Sequence, residues 1–306
     1  MQGVLTGFAV LTVVIGVGYV LGSRGHLGPD GATVLTRLAF NVATPALLFS
    51  TLSDADLSVI LSVRLLVTAL AVAAAAALFI AVAAIRGWGV GYTTVGALCA
   101  GYVNAGNLGI PIAAYVLGDA SLIAPVLLFQ QLIAAPIALA VLDLTRQGRR
   151  APLLRRLAAP VRNPTTIGSL TGVAVAATGW TVPGPVLEPL VLIGGMAVPA
   201  VLLAFGISLH GSGLPGRGPD RAAVFLATAI KTVAQPLIAW ALATGVFHLS
   251  GAALRDVVVT SALPAAQNIY TYAAHYRTAE RFAREAILLS TIVSAPVLIT
   301  VATLLG

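Results

Sequence analysis

Two short segments place amide side chains and helix breakers deep inside apolar sequence. One reads Gly101-Tyr102-Val103-Asn104-Ala105-Gly106-Asn107-Leu108-Gly109-Ile110-Pro111, the other Ser261-Ala262-Leu263-Pro264-Ala265-Ala266-Gln267-Asn268-Ile269-Tyr270. Proline removes a backbone donor and clashes with the preceding turn. Unwound backbone inside a membrane is tolerated only where protein buries it or where it lines a cavity. Asparagine and glutamine both donate and accept, so they hold a carboxylate or a protonated acid without carrying a charge. Half-helix N-termini at such a break favour an anion, and freed carbonyls coordinate Na⁺ equally well. A helix kinked by proline, its amides bonded to neighbouring helices, is the plainer alternative.

The substrate-binding candidates are Asn104, Asn107, Gly109, Pro111, Pro264, Gln267, Asn268 and Tyr270, with Gln130 and Gln131 from mid-run positions of another apolar segment. Adjacent glutamines on a regular helix point apart, so one is expected to face the break and the other a neighbouring helix. Lys231, the one lysine of the chain, lies ten residues into an apolar run, roughly 15 Å deep at 1.5 Å per residue. A charge at that depth is costly and marks a functional candidate. Two readings stand level: a coupling or charge-balancing role, or snorkelling toward headgroups. Arg37 and Arg64 lie nearer run ends and are expected to snorkel, and Asp143 to face water. No metal site is expected, because the four histidines are scattered and the one cysteine, Cys99, sits in an apolar run. No nucleophile or phosphate-loop motif occurs, which argues against an enzyme.

The chain that must position these groups has 306 residues, 58% hydrophobic and 9% charged, against about 25% charged in a soluble domain. That excludes a soluble enzyme or nucleic-acid module. With spans of about 20 residues, the apolar runs predict ten transmembrane helices: Val4–Leu21, Ala32–Leu52, Val59–Ala84, Tyr92–Leu117, Ser121–Leu142, Pro164–Thr178, Leu187–Leu209, Ala222–Phe247, Ala252–Tyr276 and Phe282–Leu305. The first run lacks a basic flank and a small-residue cleavage site, so it reads as a mature helix rather than a leader. With the Arg146–Arg162 stretch in the cytoplasm, alternation puts 13 arginines inside and only Arg255 outside. That asymmetry predicts a multi-pass protein of the cell membrane with both termini external, and it reads the net charge of +7 as orientation, not as affinity for nucleic acid.

The halves resemble each other. Ala43-Thr44-Pro45-Ala46 is matched by Ala197-Val198-Pro199-Ala200, and Ala135-Pro136 by Ala295-Pro296, at offsets of 154 and 160 residues. Five spans per half is odd, so the second half enters from the other side. The expected fold is all-α, with two inverted five-helix repeats (1–144 and 163–306) around a basic cytoplasmic linker (145–162) and with the fourth and ninth helices broken and crossing near the midplane.

The order and spacing of several short motifs resemble the auxin efflux carrier family, which includes the plant PIN exporters and bacterial carriers of small organic acids. They are Phe40-Asn41-Val42-Ala43-Thr44-Pro45, Asn104 with Gly109-Ile110-Pro111, Asn163-Pro164, Pro199 through Gly206-Ile207-Ser208-Leu209, and Ala262-Leu263-Pro264. The resemblance implies the fold of bile-acid/sodium symporters. It also implies a scaffold of helices 1, 2, 6 and 7 with hinge prolines Pro45 and Pro199, a transport domain of helices 3–5 and 8–10, elevator-type alternating access, and a homodimer. Two departures stand out: the long plant cytoplasmic loop is absent, and Ile269 replaces a second proline of the ninth helix. The expected function is secondary transport of small organic anions without a cofactor, Na⁺ or H⁺ coupling being open. A sodium-coupled symporter of larger anions, or a membrane sensor on the same fold, is the alternative.

Overall fold

A computed structural model of the chain describes residues 2–54, 62–109, 112–113, 117–118, 120–147, 164–211 and 215–305. The regular structure among them is helical, apart from a single antiparallel bridge between Val103 and Ala265. In chain order the helices are α1 (Gln2–Ser23), α2 (Gly31–Ser53), α3 (Val63–Ile85), α4 (Val90–Gly101), α5 (Ala124–Arg146), α6 (Pro164–Thr178), α7 (Gly184–Leu209), α8 (Arg221–Gly245), α9 (Gly251–Ser261), α10 (Asn268–Tyr276) and α11 (Glu280–Leu305). Six of them, α2, α3, α5, α7, α8 and α11, are long and apolar enough to cross a membrane. The fourth apolar run is α4 plus a broken continuation, and the ninth is α9 and α10.

Local chemistry sets several of these limits. Ser62 caps α3, its Oγ accepting the Leu65 N–H at 3.2 Å, which satisfies one of the free donors of a first turn. The fifth run continues as helix through Gln147, past the expected start of the basic linker at residue 145. Most of that linker, Pro111, and residues 59–61 of the third run lie outside the described residues.

Three long helices contain a widened π turn: Ala39–Ala43 in α2, Gln130–Ala134 in α5 and Ile230–Ala234 in α8. Each ends two residues before a proline, namely Pro45, Pro136 and Pro236. A proline inside a helix has no N–H to give and its ring crowds the carbonyl four residues back. One wide turn beforehand absorbs both defects without ending the helix.

Helices α1, α2, α6 and α7 pack together through glycines. A Cβ on Gly168 of α6 would collide with the Pro45 carbonyl, one on Gly194 of α7 would lie 2.8 Å from the Leu47 Cα, and one on Gly206 would strike the Ile15 carbonyl. Small residues at these crossings let backbones approach where the hydrophobic effect gives no drive, as in lipid. Helix α8 packs on α3, α4, α9 and α11, and α4 packs also on α3 and α5. Large side chains such as Leu66, Ile80, Leu192, Trp240 and Ile292 face outward, as a lipid-facing belt requires.

Candidate functional site

Both amide segments unwind at the same place. Helix α4 ends at Gly101, where Tyr102 turns extended (φ −80°, ψ 113°), and α9 ends at Ser261. The extended pieces pair as a two-rung antiparallel ribbon: the Asn104 N–H donates to the Pro264 carbonyl at 2.8 Å and the Ala266 N–H to the Tyr102 carbonyl at 3.4 Å. Neighbouring helices complete the backbone bonding. Gln130 of α5 donates to the Val103 carbonyl at 3.0 Å, Ser290 of α11 accepts from the Ala265 N–H at 3.3 Å, and Gln235 of α8 donates to the Gly101 carbonyl at 2.9 Å. The Asn104 carbonyl accepts from the Gly109 N–H at 2.9 Å. This bonding is what lets non-helical backbone persist away from water. Apolar clusters lie on either side of the ribbon, one containing Cys99, Tyr102 and Ile269, the other Val103, Leu108 and Leu263.

The amides then form a directed chain whose orientation is fixed by the backbone. The Asn107 N–H, which can only donate, bonds to Asn104 Oδ1 at 3.2 Å. Asn104 Nδ2 must therefore donate onward, and it reaches Gln267 Oε1 at 2.7 Å; Asn107 Nδ2 reaches the same oxygen at 3.3 Å. The Gln267 oxygen is thus used up, and its Nε2 group is left buried without a partner. Asn268 donates to the Tyr272 hydroxyl at 3.3 Å, leaving its own Oδ1 unpartnered. Buried polar groups are normally hydrogen-bonded, and each exception calls for an explanation.

These groups border a cavity of about 260 Å³. Thr44, Leu48 and Thr51 of α2 and Ala197 and Val201 of α7 form one wall; Asn104, Asn107, Gln130, Gln131, Gln267 and Asn268 contribute the polar part of the other. Among the described residues that line it, none is charged. Six of the ten predicted binding residues are therefore brought together.

Of the other four, Pro111 lies outside the described residues, and three are placed differently. Gly109 is packed against Ile123 and Leu263, and Pro264 serves through its carbonyl in the ribbon. Tyr270 is a correction: it is buried away from the cavity, edge-on to Phe205 with ring centres 5.7 Å apart. Because α10 begins at Asn268, a residue two positions on points away from Asn268. The two glutamines are a second correction. Gln130 and Gln131 lie in one π turn and both line the same cavity.

Lys231 is fully buried and lies off the cavity. It does not snorkel: its Nζ donates to Gln235 Oε1 at 2.6 Å and to the Ser261 carbonyl at 3.0 Å. Gln235, the partner of Lys231, was not singled out in the sequence, although its i,i+4 spacing from Lys231 was a usable signal. Asp143 accepts from the Tyr276 hydroxyl at 2.7 Å rather than simply facing water. Arg37 is exposed, whereas Arg64 is ion-paired with Asp256 at 3.1 Å. That pair borders a second hollow of about 360 Å³. Although larger, this hollow touches neither the ribbon nor the amide chain, so the first cavity is the better candidate. No group of three or more metal-ligating side chains occurs among the described residues.

The sequence profile of the membrane transport protein family matches residues 4–152 and 150–301, almost the whole chain. The chain is also similar to an uncharacterized transporter of Methanothermobacter thermautotrophicus (strain Delta H), 35% identical over 123 residues, a stretch that covers 39% of each chain. A broken-helix ribbon inside an apolar helical protein, an uncharged amide cavity beside it and this family match agree: the chain belongs to the auxin efflux carrier (PIN-like) family and is a multi-pass integral membrane protein.

Proposed function

We propose that the protein is a secondary carrier of small organic anions, and that the ligand carboxylate is held by Gln267. The observation that carries this reading is the buried, unpartnered Gln267 Nε2, a donor held by a backbone-directed chain on a residue that lines the cavity. A carboxylate oxygen is a strong acceptor for such a donor. Two further features support an anion. Helix α10 starts on the cavity wall at Asn268, so its positive end lies beside the ligand. Among the described lining residues there is also no Asp or Glu to repel a negative charge. The volume of about 260 Å³ lies just below the usual range for drug-sized ligands, about 300–1,000 Å³, and so favours a small acid.

The wider reading is a ten-helix inverted repeat with its halves at 1–144 and 163–306, the basic 145–162 stretch in the cytoplasm and both termini outside, as the 13-to-1 arginine asymmetry favours. The glycine-packed group α1, α2, α6 and α7 acts as scaffold with Pro45 and Pro199 as hinges. The remaining helices move past it as the transport domain in an elevator step, and the scaffold face joins two copies. Because the cavity lies between the groups, bounded by α2 and α7 on one side and the ribbon on the other, such a movement would carry the ribbon and its ligand together.

The test is a thermal-shift screen of purified protein against mono- and dicarboxylates, indole-3-acetate included, followed by uptake of any stabilising acid into proteoliposomes. Stabilisation by an acid that is then taken up is the expected result. An acid that binds but is not moved would favour a sensor, and uptake that needs Na⁺ would favour the symporter reading. If no carboxylate stabilises the protein and uncharged analogues do, the anion assignment is wrong.

A further inference from the structure

Helices α4 and α9 both end inside the protein, and a helix C-terminus carries about half a negative elementary charge. Two such ends close together amount to roughly one negative charge in a medium that solvates it poorly. Both ends are met by the same pair of side chains from one turn of α8. Lys231 Nζ contacts the carbonyl of Ser261, the last residue of α9, at 3.0 Å. It also bonds at 2.6 Å to Gln235 Oε1, and the Nε2 of that glutamine reaches the carbonyl of Gly101, the last residue of α4, at 2.9 Å. Lys231 and Gln235 are both fully buried. The π turn Ile230–Ala234 and Pro236 behind it set their directions. Among the described residues the ion pairs are Arg64–Asp256 and Arg281–Glu285, so no carboxylate is paired with the ammonium. Its counter-charge is the two helix ends.

In secondary transporters with broken helices, half-helix C-termini and unwound carbonyls are where a dissociable cation is coordinated. We propose that the Lys231 ammonium is the resident cation of this crossing, covalently tethered where a coupling Na⁺ would otherwise be bound, so that the protein holds its two half-helix ends together without an inorganic cation. The inference concerns the crossing alone and stands whatever the ligand of the neighbouring cavity turns out to be.

Thermal unfolding of the full-length protein in detergent, at equal ionic strength of sodium, ethylammonium or choline chloride, tests it without any substrate. The wild-type midpoint is expected to be the same in all three salts. Lys231→Ala is expected to unfold at least about 5 °C lower in choline, and to recover saturably in ethylammonium or Na⁺, which are small enough to enter the vacated site. Lys231→Ser, with a hydroxyl oxygen to help ligate, should behave alike and serves if the alanine variant is not recovered folded. A wild-type protein stabilised by Na⁺ over choline would overturn the proposal, since a dissociable cation would still be required. Equal stability of the variants and the wild type, or variants indifferent to the cation, would overturn it as well.

Discussion

The directional chain from Asn107 to Asn104 to Gln267 gives each amide a separate duty, and substitutions should divide accordingly. Gln267→Ala removes the free donor and is expected to weaken carboxylate binding by about 10- to 150-fold, the equivalent of about 1.5–3 kcal/mol for a bond to a charged group, measured by titration calorimetry or uptake. Gln267→Glu should do worse, placing an acceptor and a negative charge against the ligand. Asn104→Ala, by contrast, should chiefly cost stability, about 1–3 kcal/mol, because the Asn107 N–H and Gln267 Oε1 each lose a partner; a lowered unfolding midpoint in the absence of ligand reads this. Sequence alone picked out these residues because amides beside prolines are out of place in an apolar run. It did not show which amide nitrogen is free, since that depends on bonds between residues 163 positions apart. Tyr270 was misplaced for a related reason: the phase of α10 depends on where the break ends, and no residue type marks that point.

At the scale of elements, spans with uninterrupted periodicity were legible to within a few residues, as Pro164–Thr178 is in both sequence and structure. The π turns were not. A proline in mid-run signals a disturbance, but a kink, a break and a widened turn share that signal, and tertiary packing selects among them. Gln130 and Gln131 lie in one such turn, and both line the cavity. The same turns yield a prediction. In Pro236→Ala, α8 regains a donor and can revert to regular pitch, which turns Lys231 and Gln235 away from the half-helix ends; a lower unfolding midpoint is expected despite the better helix former. Close glycine crossings yield another. Gly168→Leu should push α6 off α2, because even a Cβ there meets the Pro45 backbone. A loss of roughly 1–3 kcal/mol and a lower yield of folded protein are expected, with the amide cavity chemistry untouched.

For the whole molecule, orientation is the most accessible test. The native Cys99 is buried, so an introduced cysteine reports with little background. An impermeant thiol reagent added outside should label a cysteine at position 2 but not one at position 147, and the reverse pattern would invert the assignment. Mass measurement in nanodiscs should give two copies, and a monomer would remove the proposed scaffold interface.

The ribbon at the crossing also bears on how the molecule comes into being. Its two strands, around Val103 and Ala265, are more than half the chain apart in sequence. During synthesis the first strand leaves the ribosome long before its partner exists. Until then, the Asn104 N–H and the Tyr102 carbonyl have no ribbon bond to make and must stay hydrated or borrow a substitute. Insertion can therefore proceed helix by helix, but closure of the centre has to wait until the segment around Ala265 has emerged. A chain stalled after α8 should be recognised by the cell as unfinished and degraded, however well its individual spans have entered the bilayer.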